Sequence, residues 1–368
     1  MRFDGSEEAD AAFMHAALAL GERGQGTTWP NPAVGCVLVR EGRVVGRGWT
    51  RPGGRPHAET IALECAGEAA RGSTAYVTLE PCANWGRTPP CAGALIEAGV
   101  ARVVIACFDP DPRVDGKGIA WLREAGLEVA VGTLADRAMA AHLGLYRRIL
   151  EGRPMVTLKL AQSTDGRLAA AGGHSQWITG EPARREAHRL RATHDAIMVG
   201  SGTALIDDPS LTCRIAGLEH RSPVRVVLDR RLRLPHTGEL ARTARDVPVW
   251  VICDAAEESR ADTLRAAGAE VLGLASPTPE EALSVLARRG ITRLLVEGGS
   301  TLAAALLRAD LIDRLHVATA PMLIGGDGLP SVAALGVTRV DRTARWRRVD
   351  MRRLGSDRLE VLERVREN

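Results

Sequence analysis

Four residues in the first third of the sequence have the types and spacing of a hydrolytic metal centre. His57 and Glu59 lie two residues apart in PHAET, and Cys82 and Cys91 bracket a loop that contains two adjacent prolines. A zinc ion that activates water takes three protein ligands and leaves its fourth position to the water. We therefore predict that His57, Cys82 and Cys91 bind Zn²⁺. Glu59 is then the proton carrier.

The same residues leave a structural interpretation open. Zinc deaminases carry the pattern H-x-E…P-C-x-x-C, whereas eight residues separate Cys82 from Cys91 in this sequence. His57 could cap a helix while the cysteines pack as buried thiols, and a purely structural zinc site needs a fourth Cys or His. Cys65 is a nearby candidate, but it falls in an alanine-rich helix and we expect it in the core. The full set favours the catalytic interpretation.

Side chains near these motifs could form a pocket for a planar ring. Trp29, Trp49 and Trp85 are expected in loops that flank the zinc motifs, although each could equally be a packed core residue. Asn31 offers an amide that can pair with the edge of a heterocycle. Its alternative role is that of a turn residue before Pro32.

The second half of the sequence contains two turns of a type that can bind phosphate. AIMVGSGTAL and LLVEGGSTLAAALL each pass from an apolar strand through glycines into a helix. Glycines let backbone N–H groups approach a phosphate at a helix N-terminus. The first turn lacks the third glycine of the dinucleotide fingerprint, so an ordinary strand-to-helix turn remains an alternative there. Two such turns together favour a phosphate site.

Charged residues in the second half suggest chemistry on a polar substrate. Lys159 lies among apolar residues in VTLKLAQS, and Glu297 ends a strand just before two glycines. The alternatives are a snorkelling lysine and an acid that stabilises a helix N-terminus. Arg191 and Arg214 are candidate partners for a substrate phosphate.

Composition narrows the class of protein. The 368 residues carry a formal charge of +3 and only 3% aromatic residues, which argues against nucleic-acid or membrane partners. Seven cysteines without regular spacing indicate a reduced, cytoplasmic protein rather than a disulfide framework. The N-terminal apolar run is too short and interrupted for a signal peptide or a membrane span.

Both halves alternate strands with helices, which predicts an α/β protein. Glu41-Gly42 separates two β-branched runs and predicts a hairpin. Glycine and proline between residues 150 and 154 mark the best candidate linker. We therefore expect two domains, residues 1–150 and 151–368.

Taken together, these residues give a sequence that resembles the bifunctional deaminase/reductases of riboflavin biosynthesis. The resemblance is carried in order by TTWPNPAVGCV, PHAE, AYVTLEPC, GRTPPC, KLAQSTDGR, SQWITG, DDPSLTCR and VEGGSTLAAALL. It implies an N-terminal cytidine-deaminase-like three-layer domain, followed by a dihydrofolate-reductase-like α/β domain that uses NADPH. The implied reactions are deamination of 2,5-diamino-6-ribosylamino-4(3H)-pyrimidinone 5′-phosphate and reduction of its ribosyl group to ribityl.

The resemblance also assigns roles to single residues. It implies that His57, Cys82 and Cys91 are the zinc ligands and that Glu59 is the proton carrier, as the residue types predict. The implied substrate contacts in the second half are Ser175, Arg191, Leu211, Arg214 and Glu297. The residue types add Lys159 in the second half and Asn31 in the first. The implied cofactor contacts are Ala161, Trp177, Thr203, Asp207, Gly299, Ser300, Thr301 and Leu302. Asn84 and Thr50 stand where many members of the family have histidine, so we expect this chain to hold its deaminase substrate differently.

Two other classes of function remain to be weighed. One is a deaminase of nucleic acid or of a free nucleoside, which the low aromatic content and the charge disfavour. The other is a zinc-stabilised regulatory protein, which the complete motifs disfavour. We expect a small phosphorylated pyrimidine as the partner and a homo-oligomer, either a dimer or a tetramer.

Overall fold

The computed structural model describes residues 7–86 and 89–366. The chain forms two compact units that divide between Gly152 and Arg153. Within the described residues, no helix combines the length and the apolar character needed to cross a membrane.

The first unit is a five-stranded mixed sheet with six helices among its described residues. Its elements are α1 (Glu7–Glu22), β1 (Gly35–Arg40), β2 (Arg43–Trp49), α2 (Ala58–Ala66), β3 (Thr74–Val77), α3 (Cys91–Glu97), β4 (Arg102–Ile105), α4 (Lys117–Glu124), β5 (Glu128–Val131), α5 (Ala135–Ala141) and α6 (Leu143–Glu151). The strand order is β2-β1-β3-β4-β5, in which β1 is antiparallel to both neighbours and the last three strands are parallel. The predicted hairpin is confirmed, with Glu41 and Gly42 both at positive φ in its turn.

Helices α1 and α2 cover opposite faces of this sheet. A Cβ on Gly35 would lie 1.8 Å from the Ala17 carbonyl oxygen of α1. The next residue of β1, Cys36, pairs with Gly48, whose Cβ would lie 2.3 Å from the Ala58 carbonyl oxygen of α2. Because successive strand residues point to opposite faces, the two helices lie on either side. The unit therefore has three layers, and α2 begins directly against the backbone of β2.

The close approach of Gly48 to the Ala58 carbonyl predicts that a methyl group at position 48 displaces the start of α2. We expect Gly48→Ala to lower the free energy of unfolding by about 1–3 kcal/mol, because a backbone oxygen must move, and to reduce the zinc content. Urea unfolding and metal analysis of the purified protein check this. Gly172→Ala is the control, since no atom lies within 4 Å of its added Cβ. Unchanged stability and zinc content in Gly48→Ala would contradict the interpretation.

The second unit is built on a nine-stranded sheet. Its elements are β6 (Met155–Ser163), β7 (Arg167–Ala169), α7 (Glu181–Ala192), β8 (Ala196–Gly200), α8 (Ser201–Asp207), β9 (Val224–Leu228), α9 (Glu239–Arg242), β10 (Val249–Asp254), α10 (Asp262–Ala267), β11 (Glu270–Leu274), α11 (Pro279–Arg288), β12 (Arg293–Val296), α12 (Ser300–Arg308), β13 (Arg314–Ala320), β14 (Leu329–Pro330), β15 (Arg345–Leu354) and β16 (Asp357–Val365). The order is β11-β10-β9-β8-β12-β6-β13-β16-β15, and β14 pairs with β7 in a separate small sheet.

The first seven strands in this order are parallel, and β16 and β15 are antiparallel to their neighbours. The carboxyl ends of β6, β8 and β12 therefore meet at one edge of the sheet, where α/β proteins place their ligands. The sequence patterns did not predict β15. Its segment RWRRVDMRRL is an exposed edge strand without an apolar face, and its arginines pair with glutamates of β16.

Candidate active sites

The three predicted zinc ligands come together in the first unit. His57 occupies the N-cap position of α2 without a capping hydrogen bond from its side chain, and Cys91 is the first residue of α3. The His57 Nδ1 atom lies 3.3 Å from the Cys91 sulfur and 3.8 Å from the Cys82 sulfur. Tetrahedral zinc, with Zn–N near 2.0 Å and Zn–S near 2.3 Å, separates its ligand atoms by roughly 3.5–3.8 Å. Both the donor set and the spacing therefore fit Zn²⁺.

Local hydrogen bonds favour a thiolate at Cys82. The Cys91 side chain and then its backbone N–H, at the start of α3, donate to the Cys82 sulfur, and together with His57 they lower the pKa of Cys82 to about 4 despite burial. The same hydrogen bond and burial raise the pKa of Cys91. Glu59 is only 4% exposed, and burial raises its pKa above the usual carboxyl range. Cys65 is exposed on α2, so the prediction that it belongs to the core is wrong.

A cavity of about 300 Å³ opens onto these residues. His57, Glu59 and Cys82 line it together with Asn31, whose side-chain amide donates to the Gly54 carbonyl at 2.9 Å. Asn31 thus holds the backbone around the cavity and also faces its interior.

The three tryptophans do not surround the pocket as predicted. Trp85 lines the cavity and is 78% exposed. Trp49 is the last residue of β2, not a loop residue, and the Arg51 guanidinium lies 4.2 Å from its ring centre. Trp29 is absent from the described residues of the cavity wall. The predicted loop placement is confirmed for Trp29 and Trp85. It is wrong for Trp49, which extends the alternating strand pattern and stacks with arginine there.

The two departures from the family pattern have different roles. Thr50 is buried, and its hydroxyl oxygen accepts a hydrogen bond from the Val34 N–H at 3.0 Å, so it holds two segments together. Asn84 lies at the cavity and donates its amide to the Arg113 carbonyl at 2.7 Å. Arg113 itself lines the cavity and pairs with Asp111.

Glu80 was missed by the sequence analysis. Its buried carboxylate accepts N–H bonds from Gly118 at 2.9 Å, Ile119 at 3.2 Å, Gly116 at 3.0 Å and Asp109 at 3.4 Å. The first three surround the N-terminus of α4, where unpaired donors and the helix dipole favour an anion.

This carboxylate anchors the segment that carries a predicted zinc ligand, Cys82. Glu80 lies two residues before Cys82, and a Cβ on Gly118 would lie only 2.1 Å from the Pro81 carbonyl oxygen. The Pro81-Cys82 junction is therefore pressed against the start of α4 and held there by the carboxylate. The LEPC motif, in which an acid immediately precedes the Pro-Cys junction, was the available signal.

We expect Glu80→Gln to weaken zinc retention. The amide replaces an acceptor with a donor that faces backbone N–H groups, which costs about 1–3 kcal/mol for the unpaired donors. Competition with a chromogenic chelator measures zinc release. Glu124→Gln, an exposed change on the same helix, is the control. Equal zinc release from Glu80→Gln and the unmodified protein would show that the anchor does not act on the metal site.

In the second unit, two predicted site residues, Arg191 and Lys159, lie beside the carboxylate of a third, Glu297. Arg191 of α7 binds Glu297 through two hydrogen bonds of 2.7 and 3.0 Å, and Lys159 of β6 lies 4.0 Å from the same carboxylate. Burial alone would raise the pKa of Glu297, but Arg191 and then Lys159 outweigh it and lower the pKa to about 2. Burial lowers the pKa of Lys159.

His188 connects this cluster to Arg214 and was also missed. The Thr212 carbonyl oxygen lies 3.2 Å from His188 Nδ1 and accepts a hydrogen bond of 3.0 Å from Arg191. Arg214 Nε lies 3.4 Å from His188 Nε2. Burial, Arg191 and Arg214 all lower the pKa of His188, which favours the neutral ring. His188 precedes Arg191 by three residues, and this one-turn helical spacing was the available signal.

The two glycine-rich turns lie side by side. They follow the adjacent parallel strands β8 and β12, and a Cβ on Gly298 or Gly299 would lie 3.1 or 3.3 Å from the Thr203 hydroxyl. Gly298 and Gly299 both have positive φ, which suits glycine. The first turn of α12, at Ser300, Thr301 and Leu302, leaves N–H groups without helical partners. This cradle fits a dinucleotide diphosphate.

The remaining predicted residues lie around these clusters. Ala161 is two residues after Lys159 on β6 and shares its face. Trp177 is 65% exposed, and Arg184 lies 4.6 Å from its ring centre. Asp207 ends α8 at the surface, and burial of its carboxyl raises its pKa. Ser175 is half-buried, and its carbonyl oxygen accepts a hydrogen bond from the Ile178 N–H.

Comparisons with known proteins agree with both halves of this description. Residues 7–107 match the cytidine and deoxycytidylate deaminase zinc-binding region, and residues 154–359 match the RibD C-terminal domain. The chain is 41% identical to the riboflavin biosynthesis protein RibD of Aquifex aeolicus, over 95% of this chain and 97% of that one. The chain belongs to the RibD family. RibD of Escherichia coli is 40% identical to this chain, over 95% of this chain and 97% of that one.

Solved structures of RibD proteins have the same fold. RibD of Acinetobacter baumannii superposes with a TM-score of 0.88 at 38% identity, covering 98% of this chain and all of that one. A second match is the Thermotoga maritima diaminohydroxyphosphoribosylaminopyrimidine deaminase/5-amino-6-(5-phosphoribosylamino)uracil reductase. Its TM-score is 0.87 at 32% identity, and the match covers 98% of this chain and 99% of that one. The cytidine-deaminase-like and reductase folds are thus confirmed. As a RibD protein, the chain is a bifunctional riboflavin-biosynthesis enzyme, a zinc-dependent deaminase and an NADPH-dependent reductase.

Proposed function

We propose that residues 1–150 deaminate 2,5-diamino-6-ribosylamino-4(3H)-pyrimidinone 5′-phosphate. Residues 151–368 then reduce the ribosyl group of the product to give 5-amino-6-(5-phosphoribitylamino)uracil. The observation that carries the proposal is the placement of His57, Cys82 and Cys91 around one metal-sized space, with Glu59 lining the same cavity. The Thermotoga maritima relative is named for the same pair of activities, a deaminase and a reductase.

Glu59 moves the protons of the deamination. Zinc, when bound by the three ligands, supplies activated water for attack on the ring carbon that bears the amine. Glu59 carries one proton from the water to the ring nitrogen as the oxygen adds to the ring carbon. It then carries a second proton from the added hydroxyl to the amine, which leaves as ammonia while the carbonyl forms. Its position in the first turn of α2, two residues after His57, keeps the carboxylate beside the metal site. Asn31 binds the edge of the pyrimidine ring.

This assignment predicts that Glu59→Gln retains zinc but loses ammonia release by at least about 100-fold, the scale of general acid–base catalysis. NADPH oxidation with the deaminated substrate supplied directly remains at the unmodified rate. Metal analysis, an ammonia assay and absorbance at the NADPH band measure the three properties on one preparation. Persisting ammonia release would remove Glu59 from the mechanism.

The reductase site uses the cluster around Glu297 for the substrate and the glycine-rich cradle for the cofactor. NADPH supplies the hydride when it is bound. Arg191, Leu211 and Arg214 bind the phosphorylated substrate together with Ser175 and Glu297. Lys159, on the strand beside Glu297, faces the reacting end of the ribosyl chain. Gly299 and residues 300–302 hold the cofactor phosphates, and Ala161, Trp177, Thr203 and Asp207 complete the cofactor site.

Lys159→Met tests the substrate half of this site without breaking the ion pair, because Glu297 keeps its two bonds to Arg191. We expect NADPH oxidation to fall by about 100-fold or more while ammonia release is unchanged. Lys117→Met, at an exposed lysine of the first unit, is the matched control. Reductase activity within a factor of two of the control would contradict the role of Lys159.

The substrate is a small phosphorylated pyrimidine, and we propose neither nucleic-acid nor membrane partners. A tight, salt-dependent complex with RNA would instead support a nucleic-acid deaminase. We further propose a cytoplasmic homo-oligomer, either a dimer or a tetramer, which sedimentation of the purified protein tests.

A further inference from the structure

Arg225 of β9 is a fully buried arginine that touches the segment of the proposed substrate site. The residue has 0% exposure. One guanidinium nitrogen donates to the Ser210 carbonyl at 3.2 Å and to the Thr243 hydroxyl at 2.7 Å, and the other donates to the Thr243 carbonyl at 2.8 Å and the Val247 carbonyl at 2.5 Å. Arg225 therefore bridges the core and the loop that precedes Leu211.

All four of these hydrogen bonds end on uncharged oxygens. A buried charge without a carboxylate in contact is costly, and arginines are seldom fully buried unless they are paired. Burial lowers the pKa of Arg225 to about 10, so the guanidinium stays charged at neutral pH. Hydrophobic residues could fill the same space, since Arg225 shares its face of β9 with Val227 in an apolar cluster. An apolar side chain could make none of the four hydrogen bonds, and the one to Ser210 is the bond that reaches the segment of the proposed substrate site.

The segment from Asp208 to Arg214 is held in an unusual conformation. Asp208 and Leu211 have φ values of 39° and 55°, in the left-handed region that bulky residues rarely adopt. Leu211 is also buried, at 3% exposure, in the same apolar cluster as Val227. Such strain persists only where surrounding contacts over-determine the backbone, and it concentrates at functional sites.

Polar contacts from several neighbouring elements hold the segment from Asp208 to Arg214 in this conformation. The Asp208 carboxylate accepts the Glu239 N–H at 2.7 Å. The Cys213 N–H donates to the Ser222 hydroxyl at 3.0 Å. Arg191 and His188 contact the Thr212 carbonyl from α7. Arg225 is the contact that comes from inside the core and lies next to the left-handed Leu211.

We propose that Arg225 is a positioning residue of the reductase. By holding the Ser210 carbonyl from the core, it fixes the left-handed turn at Leu211 and so presents the backbone of Leu211 and the side chain of Arg214 to the phosphorylated substrate. It touches neither substrate nor cofactor, and it acts on substrate affinity rather than on hydride transfer. The inference rests on the proposed role of Leu211 and Arg214 as substrate contacts.

The test compares steady-state reduction of the deaminated substrate by Arg225→Lys, Arg214→Met and the unmodified full-length chain. Lysine keeps the charge, but its single, differently placed nitrogen cannot reproduce the two guanidinium nitrogens that join Ser210 to Thr243 and Val247. We expect Arg225→Lys to raise KM for the substrate about tenfold, with kcat, KM for NADPH and ammonia release each within about twofold. Amide hydrogen exchange of residues 208–214 should be faster in Arg225→Lys.

Thr243→Val is the matched control, because it removes one hydroxyl acceptor of the guanidinium and leaves the Ser210 carbonyl in place as its other acceptor. We expect its substrate KM to stay near that of the unmodified chain, even where its melting temperature falls as far as that of Arg225→Lys. An equal rise in KM for both variants would show that Arg225 is merely structural. If Arg225→Lys is recovered unfolded, Arg225→Gln replaces it. Because glutamine keeps one donor for Ser210, a substrate KM near that of the unmodified chain supports the positioning role, and a tenfold rise contradicts it.

The outcomes separate the inference from the proposed function. A normal substrate KM in Arg214→Met would overturn the proposed substrate contacts themselves. A raised KM in Arg214→Met together with a normal KM and unchanged hydrogen exchange in Arg225→Lys would overturn only the positioning role.

Discussion

Helix α2 begins with its backbone against β2, and the rest of the deaminase site depends on this contact. Gly48 allows the approach, and His57 precedes the helix while Glu59 lies in its first turn. Helix α4 meets the Pro81 carbonyl at Gly118 in the same way. In the second unit, Gly298 and Gly299 bring the start of α12 next to Thr203. In each case a glycine, which has no side chain, allows a helix N-terminus to approach its neighbour closely. The positions of the predicted site residues therefore depend on backbone packing.

Buried charges supply the second level of organisation. Glu80 binds four backbone N–H groups, Arg225 binds carbonyl and hydroxyl oxygens, and Glu297 binds a guanidinium. The first two use mainly backbone partners, and therefore they fix the path of the chain rather than the position of another side chain. Glu297 differs because its partners, Arg191 and Lys159, are themselves groups of the proposed site. The chain thus uses buried ions both to shape loops and to assemble reactive clusters.

The sequence predicted the parts of the site that are encoded locally. The zinc ligands, the hairpin at Glu41-Gly42 and the glycine-rich turns each lie within a short motif whose residue types have few alternatives. Glu80 and His188 were missed because their roles depend on partners 29 to 39 residues away for Glu80 and 24 to 26 for His188, which a local pattern does not show. Trp49 and Cys65 were misplaced for a related reason. A residue type alone does not tell which side of a strand or helix faces solvent.

Lys159 is one of only two lysines in a chain that otherwise uses arginine for its positive charges. Arginine retains its proton under all physiological conditions, whereas an amine in an apolar setting can release one. The reductase cluster therefore pairs a permanent cation, Arg191, with an ionisable one on the two sides of Glu297. The guanidinium keeps the carboxylate ionised, and the amine of Lys159 is the cation of this pair that can release its proton.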